Sequence, residues 1–174
     1  MPWFPDVSNR MARSPSMLGR EALDIDDGEV ALANFQIANA YGQTALAREP
    51  SSFVCMRDSA ICWDQIGYAR QMLGSVELAH IAYGEAGRRY KIAVDIEGQY
   101  GPTDRERAVF LGRFSDLRCL DGDYGGAEEA LNESAQIIWV RHAMMPDNPD
   151  RLWDLAGVIG RFAILRNYQN PTEG

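Results

Sequence analysis

The pair of residues in this sequence with the most obvious capacity for chemistry is Glu77 and His80, which lie three positions apart. On a helix this spacing places both side chains on one face, and four-helix metal proteins use two such pairs with two further glutamates to bind metal ions. The second histidine, His142, has no glutamate three residues before it. The glutamates within 128–133 lie near the start of a predicted helix, where the helix dipole favours acids. We therefore predict no metal site.

Other catalytic patterns are missing from the sequence. It contains no HExxH, no glycine-rich phosphate loop, no CxxC and no Gly-x-Ser-x-Gly. The three cysteines, Cys55, Cys62 and Cys119, are an odd number without paired spacing, so we expect buried free thiols rather than disulfides or ligands. These features predict a protein that is not an enzyme and needs no cofactor.

The composition is that of a globular protein with an acidic surface. The chain has 174 residues, of which 46% are hydrophobic and 24% charged, and its formal net charge is −8. An acidic surface repels phosphate, which argues against nucleic acid and anionic membranes as partners. The N-terminus shows no signal peptide, and no apolar run approaches the roughly 20 residues of a membrane helix. We therefore expect a cytoplasmic protein that does not bind membranes.

Helix signals divide the chain into seven helices. Apolar residues recur at spacings of three and four, and caps, prolines and glycines separate the runs. Ser14-Pro15 is typical of a helix start, and Thr103 with Glu106 has the capping-box pattern. No stretch alternates with period two, so we predict an all-α fold. The predicted helices span roughly 15–25, 29–48, 52–72, 75–98, 103–120, 123–144 and 150–167.

The helices are predicted to form one domain over residues 14–168, between an extended arm (1–13) and a frayed tail (169–174). The arm carries Trp3 and Phe4, which are costly to expose and so are expected to pack on the body of the protein or on a partner. The last helix has no partner after it. Its outer face is therefore polar, covered by the arm, or used for association with another copy.

A pattern of small and large residues repeats along the chain. Aligned on Gly28, Gly74 and Gly122, the spacings are 46 and 48 residues. Small residues at fixed places let two helices approach closely, which is typical of stacked helix hairpins. Two positions after each glycine lie Val30, Val76 and Tyr124, and five positions after it lie Ala33, Ala79 and Ala127. Nine positions after it lie Ile37, Tyr83 and Leu131, and twelve positions after it lie Ala40, Ala86 and Ser134.

The best-preserved unit, Trp63 to Ala86, reads W-x2-I-G-x6-G-x-V-x2-A-x3-Y-x2-A and resembles the tetratricopeptide repeat. The period is longer than in most members of that family and is more similar to the repeats of the kinesin light chain. The resemblance implies an α-solenoid of antiparallel helix hairpins. It also implies that partners bind along the concave surface formed by the first helix of each hairpin.

Carrying the family's concave positions onto this sequence gives a polar, mildly acidic set of residues with one tyrosine. The resemblance thus implies a non-catalytic interaction module that binds a peptide or protein segment of basic and apolar character; solvated surface residues without a binding role are the alternative for these positions. A second interpretation of the whole protein is a regulatory sensor whose helical cup binds a small peptide or metabolite. The candidate residues are Asp64, Tyr68, Gln71, Asp116, Asp154 and Arg161, with Gly112 and Gly157 between them.

Overall fold

The computed structural model describes residues 14–98 and 101–170, and within them the protein is all-α, as predicted. The predicted helix ends agree with the structure to within about two residues, the usual uncertainty of helix boundaries. The arm 1–13 and residues 171–174 of the tail lie outside the described residues. The seven helices are α1 (Pro15–Asp24), α2 (Gly28–Arg48), α3 (Phe53–Met72), α4 (Val76–Glu97), α5 (Pro102–Leu120), α6 (Tyr124–Met144) and α7 (Pro149–Gln169).

Local capping explains where most helices begin. The side chains of Ser14, Asp27, Ser52 and Asp123 each accept a hydrogen bond from the backbone N–H three residues later. Such a cap satisfies one of the N–H groups that a helix start leaves unpaired.

The predicted cap at Thr103 is wrong. Gly101 is the N-cap of α5, and Thr103 lies buried in the first turn. Pro102, with its fixed φ, begins the helix one residue earlier. The Thr103 N–H instead donates to the Glu97 carboxylate at 3.1 Å, so the free N–H is satisfied from the end of α4.

The turns within the three hairpins α1–α2, α3–α4 and α5–α6 are alike. Each contains one residue with left-handed φ: Asp26 (61°), Gly74 (70°) and Gly122 (76°). These residues lie 48 positions apart in both intervals. Gly28, which the sequence alignment took as the first turn residue, is the first residue of α2. The predicted register of the first unit is therefore wrong by two positions.

Burial supports the 48-residue register. Ala31, Ala79 and Ala127, which it aligns, are all fully buried. By contrast, Ile37, which the sequence alignment placed with Tyr83, is 49% exposed. The residue that takes the buried place of Tyr83 in the first unit is Phe35.

Close helix approach within a hairpin depends on a small residue opposite a large one. A Cβ added at Gly67 would lie 2.6 Å from the ring of Tyr83, and one at Gly19 would lie 2.4 Å from the ring of Phe35. In the third hairpin the equivalent positions hold Ser115 and a leucine, both fully buried. The aromatic ring thus fills the space that the glycine leaves empty.

The helices pack in series. Each helix contacts the next along the chain, and the first helices also touch one another, α3 with α5 and α5 with α7. We call the surface that α1, α3, α5 and α7 form side by side the odd-helix face. Within the residues that the structure describes, none of the helices is both long and apolar enough to cross a membrane.

Candidate functional site

All six candidate residues lie on odd-numbered helices and line clefts. Asp154 lines a cleft between α5, α6 and α7, and the other five line two clefts of the odd-helix face. One cleft, of about 590 Å³, is lined by α1, α3 and α5 and contains Asp64 and Tyr68. A second, of about 370 Å³, is lined by α3, α5 and α7 and contains Gln71, Asp116 and Arg161. We call them the α1–α5 cleft and the α3–α7 cleft.

The centre of the α1–α5 cleft is an ion pair between Asp64 and Arg113. Asp64 is only 3% exposed, and its Oδ2 accepts a hydrogen bond from Arg113 Nη1 at 2.6 Å. The same guanidinium lies over the ring of Tyr68, 5.2 Å from its centre. Burial raises the pKa of Asp64 to about 6, although the arginine opposes the shift. Asp64 therefore joins α3 to α5 rather than presenting a free carboxylate.

The α3–α7 cleft has apolar walls and one charged pair. Arg161 on α7 donates from Nε to Asp116 Oδ2 on α5 at 3.1 Å. Burial raises the pKa of Asp116, again against the effect of the arginine. Arg161 lies across Gly112, where an added Cβ would come within 2.9 Å of its Nε. The residues lining this cleft are Gln71, Asp116, Leu120, Gly157, Gly160, Arg161, Ile164 and Tyr168.

Two further candidates hold the helices together. Asp154 on α7 accepts two hydrogen bonds from Arg105 on α5, at 2.8 and 2.9 Å. Gln71 accepts a hydrogen bond from the Tyr83 hydroxyl at 3.1 Å, which ties α3 to α4. Both side chains line or border a cleft, and both already have a partner within the protein.

Of the three arginines that pair with the candidate acids, Arg161 was identified from the sequence, whereas Arg105 and Arg113 were missed. Arg113, Arg105 and Arg161 each bind an acid on the neighbouring odd helix, 45 to 49 residues away in the chain. That separation is close to one repeat. A search of the first helices for opposite charges about one repeat apart would therefore have found them.

The structure gives the Glu77–His80 motif another role. His80 contacts the carboxylate of Asp121, the C-cap of α5, and the edge of the Phe114 ring. Glu77 lies in the first turn of α4. Over residues 14–98 and 101–170, no group of three or more His, Cys, Asp or Glu side chains is placed to hold a metal ion.

The cysteines are free in the described structure. Cys62 and Cys119 are buried and Cys55 is half-buried. Burial raises the pKa of the Cys62 thiol and of the Cys119 thiol. A raised pKa lowers the fraction of each thiol that is present as the reactive thiolate at neutral pH.

No protein-family model and no curated protein matches this sequence. The fold and the clefts define the class by structure alone. It is an all-α protein of helix hairpins packed in series, with clefts along one face.

Proposed function

We propose that this protein is a non-catalytic, tetratricopeptide-like interaction module that binds a peptide or protein segment on its odd-helix face. The observation that carries the proposal is the α3–α7 cleft, which combines an apolar wall with a single half-exposed ion pair. A concave, mostly apolar site with a few polar groups is the usual form of a binding pocket. The 48-residue register supports a repeating helix-hairpin architecture, which such a module would need.

The chemistry of the cleft suggests what it accepts. Leu120, Ile164 and Tyr168 offer apolar contact, while Gly157 and Gly160 leave backbone accessible between them. An apolar side chain of the bound segment would contact these residues. A basic residue next to it in the segment would lie near Asp116, whose side chain is 34% exposed.

Gly160 allows a direct test. An added Cβ at Gly160 meets nothing within 4 Å, so Gly160→Leu fills the cleft without disturbing the core. Gly84 on α4 is also helical, exposed and free of neighbours at the Cβ position, which makes Gly84→Leu a matched control outside the cleft. Peptides selected from a displayed random library against the wild-type protein are then measured on all three proteins.

We expect the selected peptides to bind the wild type and Gly84→Leu equally and to lose at least about tenfold in affinity on Gly160→Leu. Selection of no peptide, or equal binding to all three proteins, would refute the proposal.

A sensor of small molecules is the second candidate, and the volume of the α3–α7 cleft favours it. At about 370 Å³ this volume is within the range of small-ligand sites. A metabolite that binds only the folded state raises the melting temperature. A screen in which a metabolite stabilises the wild type and Gly84→Leu but not Gly160→Leu would favour the sensor over peptide binding.

A further inference from the structure

The α1–α5 cleft is lined by charges of both signs. Three arginines and three acids border its volume of about 590 Å³, which is within the range of small-ligand sites. The α3–α7 cleft, on which the proposed function rests, shares no lining residue with it, so the two sites are independent. The charged residues of the α1–α5 cleft are Arg20, Asp24, Asp64, Arg105, Glu106 and Arg113.

Two of the arginines are held by the protein in a way that leaves some of their N–H groups unused. Arg113 donates to Asp64 from Nη1 alone. Arg20 donates from Nε and Nη2 to the side-chain oxygen of Gln65, at 2.8 and 3.1 Å, with that amide oriented to accept. Arg20 Nη1 and Arg113 Nη2 form no hydrogen bond with any residue in the described ranges. A guanidinium fixed in this way can bind a carboxylate through its remaining N–H groups.

The acids of the cleft also leave acceptors unused. Glu106 comes no closer than 3.9 Å to an arginine nitrogen, and Asp24 forms no ion pair with the residues that the structure describes. Asp64 is 3% exposed and uses only Oδ2 in its ion pair, so its Oδ1 has no hydrogen-bond partner. A buried carboxylate oxygen without a donor costs free energy. The cleft therefore has more acceptors, as well as more donors, than the chain itself pairs.

One positive and one negative group of the cleft lie near the same buried carboxylate. Burial and Arg113 have the largest effects on the pKa of Asp64; beyond them, the negative charge of Glu106 raises this pKa and the positive charge of Arg20 lowers it. Charges shift a pKa mainly over short distances. Arg20 on α1 and Glu106 on α5 thus converge on one part of the cleft, from its two sides.

We propose that the α1–α5 cleft binds a small zwitterion of the amino-acid type, such as a free amino acid or a dipeptide. Its carboxylate binds Arg20 and its ammonium group binds Glu106. The apolar wall formed by Leu23, Ile61 and Val109 contacts its side chain. The charges that line the cleft balance, so a ligand of both signs pairs with donors and acceptors together, whereas a simple anion or cation would leave one of the two sets unpaired.

Isothermal titration calorimetry with the full chain tests this proposal. The probes are the twenty free amino acids and the dipeptides that each forms with glycine. We expect at least one of them to bind, and its carboxamide and desamino analogues, which each lack one charge, to bind at least about tenfold more weakly. Binding of no probe, or equal binding of the parent ligand and both analogues, would overturn the proposal.

Two variants assign each ligand charge to its partner. Arg20→Gln should weaken the parent ligand at least about tenfold and leave the carboxamide analogue unchanged, while Glu106→Gln should weaken the parent as much and leave the desamino analogue unchanged. Arg57→Gln and Asp58→Asn, at an ion pair of α3 outside the cleft, are the matched controls and should change nothing. Gly160→Leu, which fills the α3–α7 cleft, should also leave this binding intact. If Arg20→Gln weakened the parent and its carboxamide equally, the assignment of the carboxylate to Arg20 would be wrong.

Discussion

Replacing Gly67 by alanine should destabilise the protein, although alanine is the better helix former. The added methyl carbon would lie 2.6 Å from the Tyr83 ring, about 0.8 Å inside the distance at which ordinary contact begins. The ring cannot easily move away. It is fully buried between Phe110 and Phe114, and its hydroxyl donates to Gln71.

Two opposing terms set the size of the effect. Overpacking a core costs about 1–3 kcal/mol, and the rigid surroundings of Tyr83 place this site in the upper part of that range. Alanine in place of a helical glycine gains about 1 kcal/mol. We therefore expect Gly67→Ala to lower the free energy of unfolding by about 1–2 kcal/mol. Gly84→Ala, which has the same propensity gain and open space around the new methyl, should raise it by about 0.5–1 kcal/mol.

The measurement is urea denaturation followed by circular dichroism for both variants. The third hairpin supplies a rescue, since Ser115 and Leu131 occupy the equivalent positions. In a double-mutant cycle, Gly67→Ser and Tyr83→Leu together should be more stable than the sum of the single changes by at least about 1 kcal/mol. If Gly67→Ala instead stabilised the protein as much as Gly84→Ala, the close approach in the second hairpin would be refuted.

Three other predictions concern register and charge. Ala31→Leu and Ala79→Leu should each lower the free energy of unfolding, measured by urea denaturation, by about 1–3 kcal/mol. Ala33→Leu, at an exposed position, should lower it by less than about 0.5 kcal/mol. A loss of stability at Ala33 instead of Ala31 would support the 46-residue spacing. The pKa of Asp64 is raised to about 6 in the folded protein, so folding favours the protonated carboxyl. The stability that this protonation contributes is complete below about pH 4 and is lost, by up to about 3 kcal/mol, as the pH rises through 6. Unfolding curves of Asp64→Asn should lack this fall, and parallel pH profiles for variant and wild type would contradict it. Arg113→Met should lower the free energy of unfolding by about 3 kcal/mol, because it leaves the buried Asp64 carboxylate unpaired. Arg57→Met, at an exposed ion pair, should lower it by less than about 1 kcal/mol. Equal decreases in melting temperature for the two variants would show that Asp64 does not need its partner.

The features predictable from the sequence are those with local causes. Helix starts follow from a cap and its neighbour, so the start predicted at Ser14-Pro15 is confirmed. The register of the first hairpin failed because a glycine was expected at the left-handed turn position. Asp26 adopts that conformation at φ 61°, which short polar residues tolerate better than most others.

The interior of the odd-helix face was only half predictable. The resemblance to the tetratricopeptide repeat implied which positions of α3, α5 and α7 share a surface, and Asp64 and Asp116 were named on that basis. The pairing of these two carboxylates could not be predicted from a single helix, because the arginine that binds each of them comes from the next repeat. Burial of Asp64 is likewise a product of packing between hairpins, and its raised pKa follows from that burial.

The ion pairs between odd helices also explain why clefts exist on this face. Within a hairpin, small residues let the helices pack closely, whereas α3 with α5 and α5 with α7 touch much less. Long charged side chains span the wider gaps, as Arg113 does to Asp64 and Arg161 does across Gly112. Apolar residues at these positions would gain free energy by closing the gaps. Arginine–aspartate pairs instead hold neighbouring hairpins in register while leaving space between them, and the candidate binding clefts lie in that space.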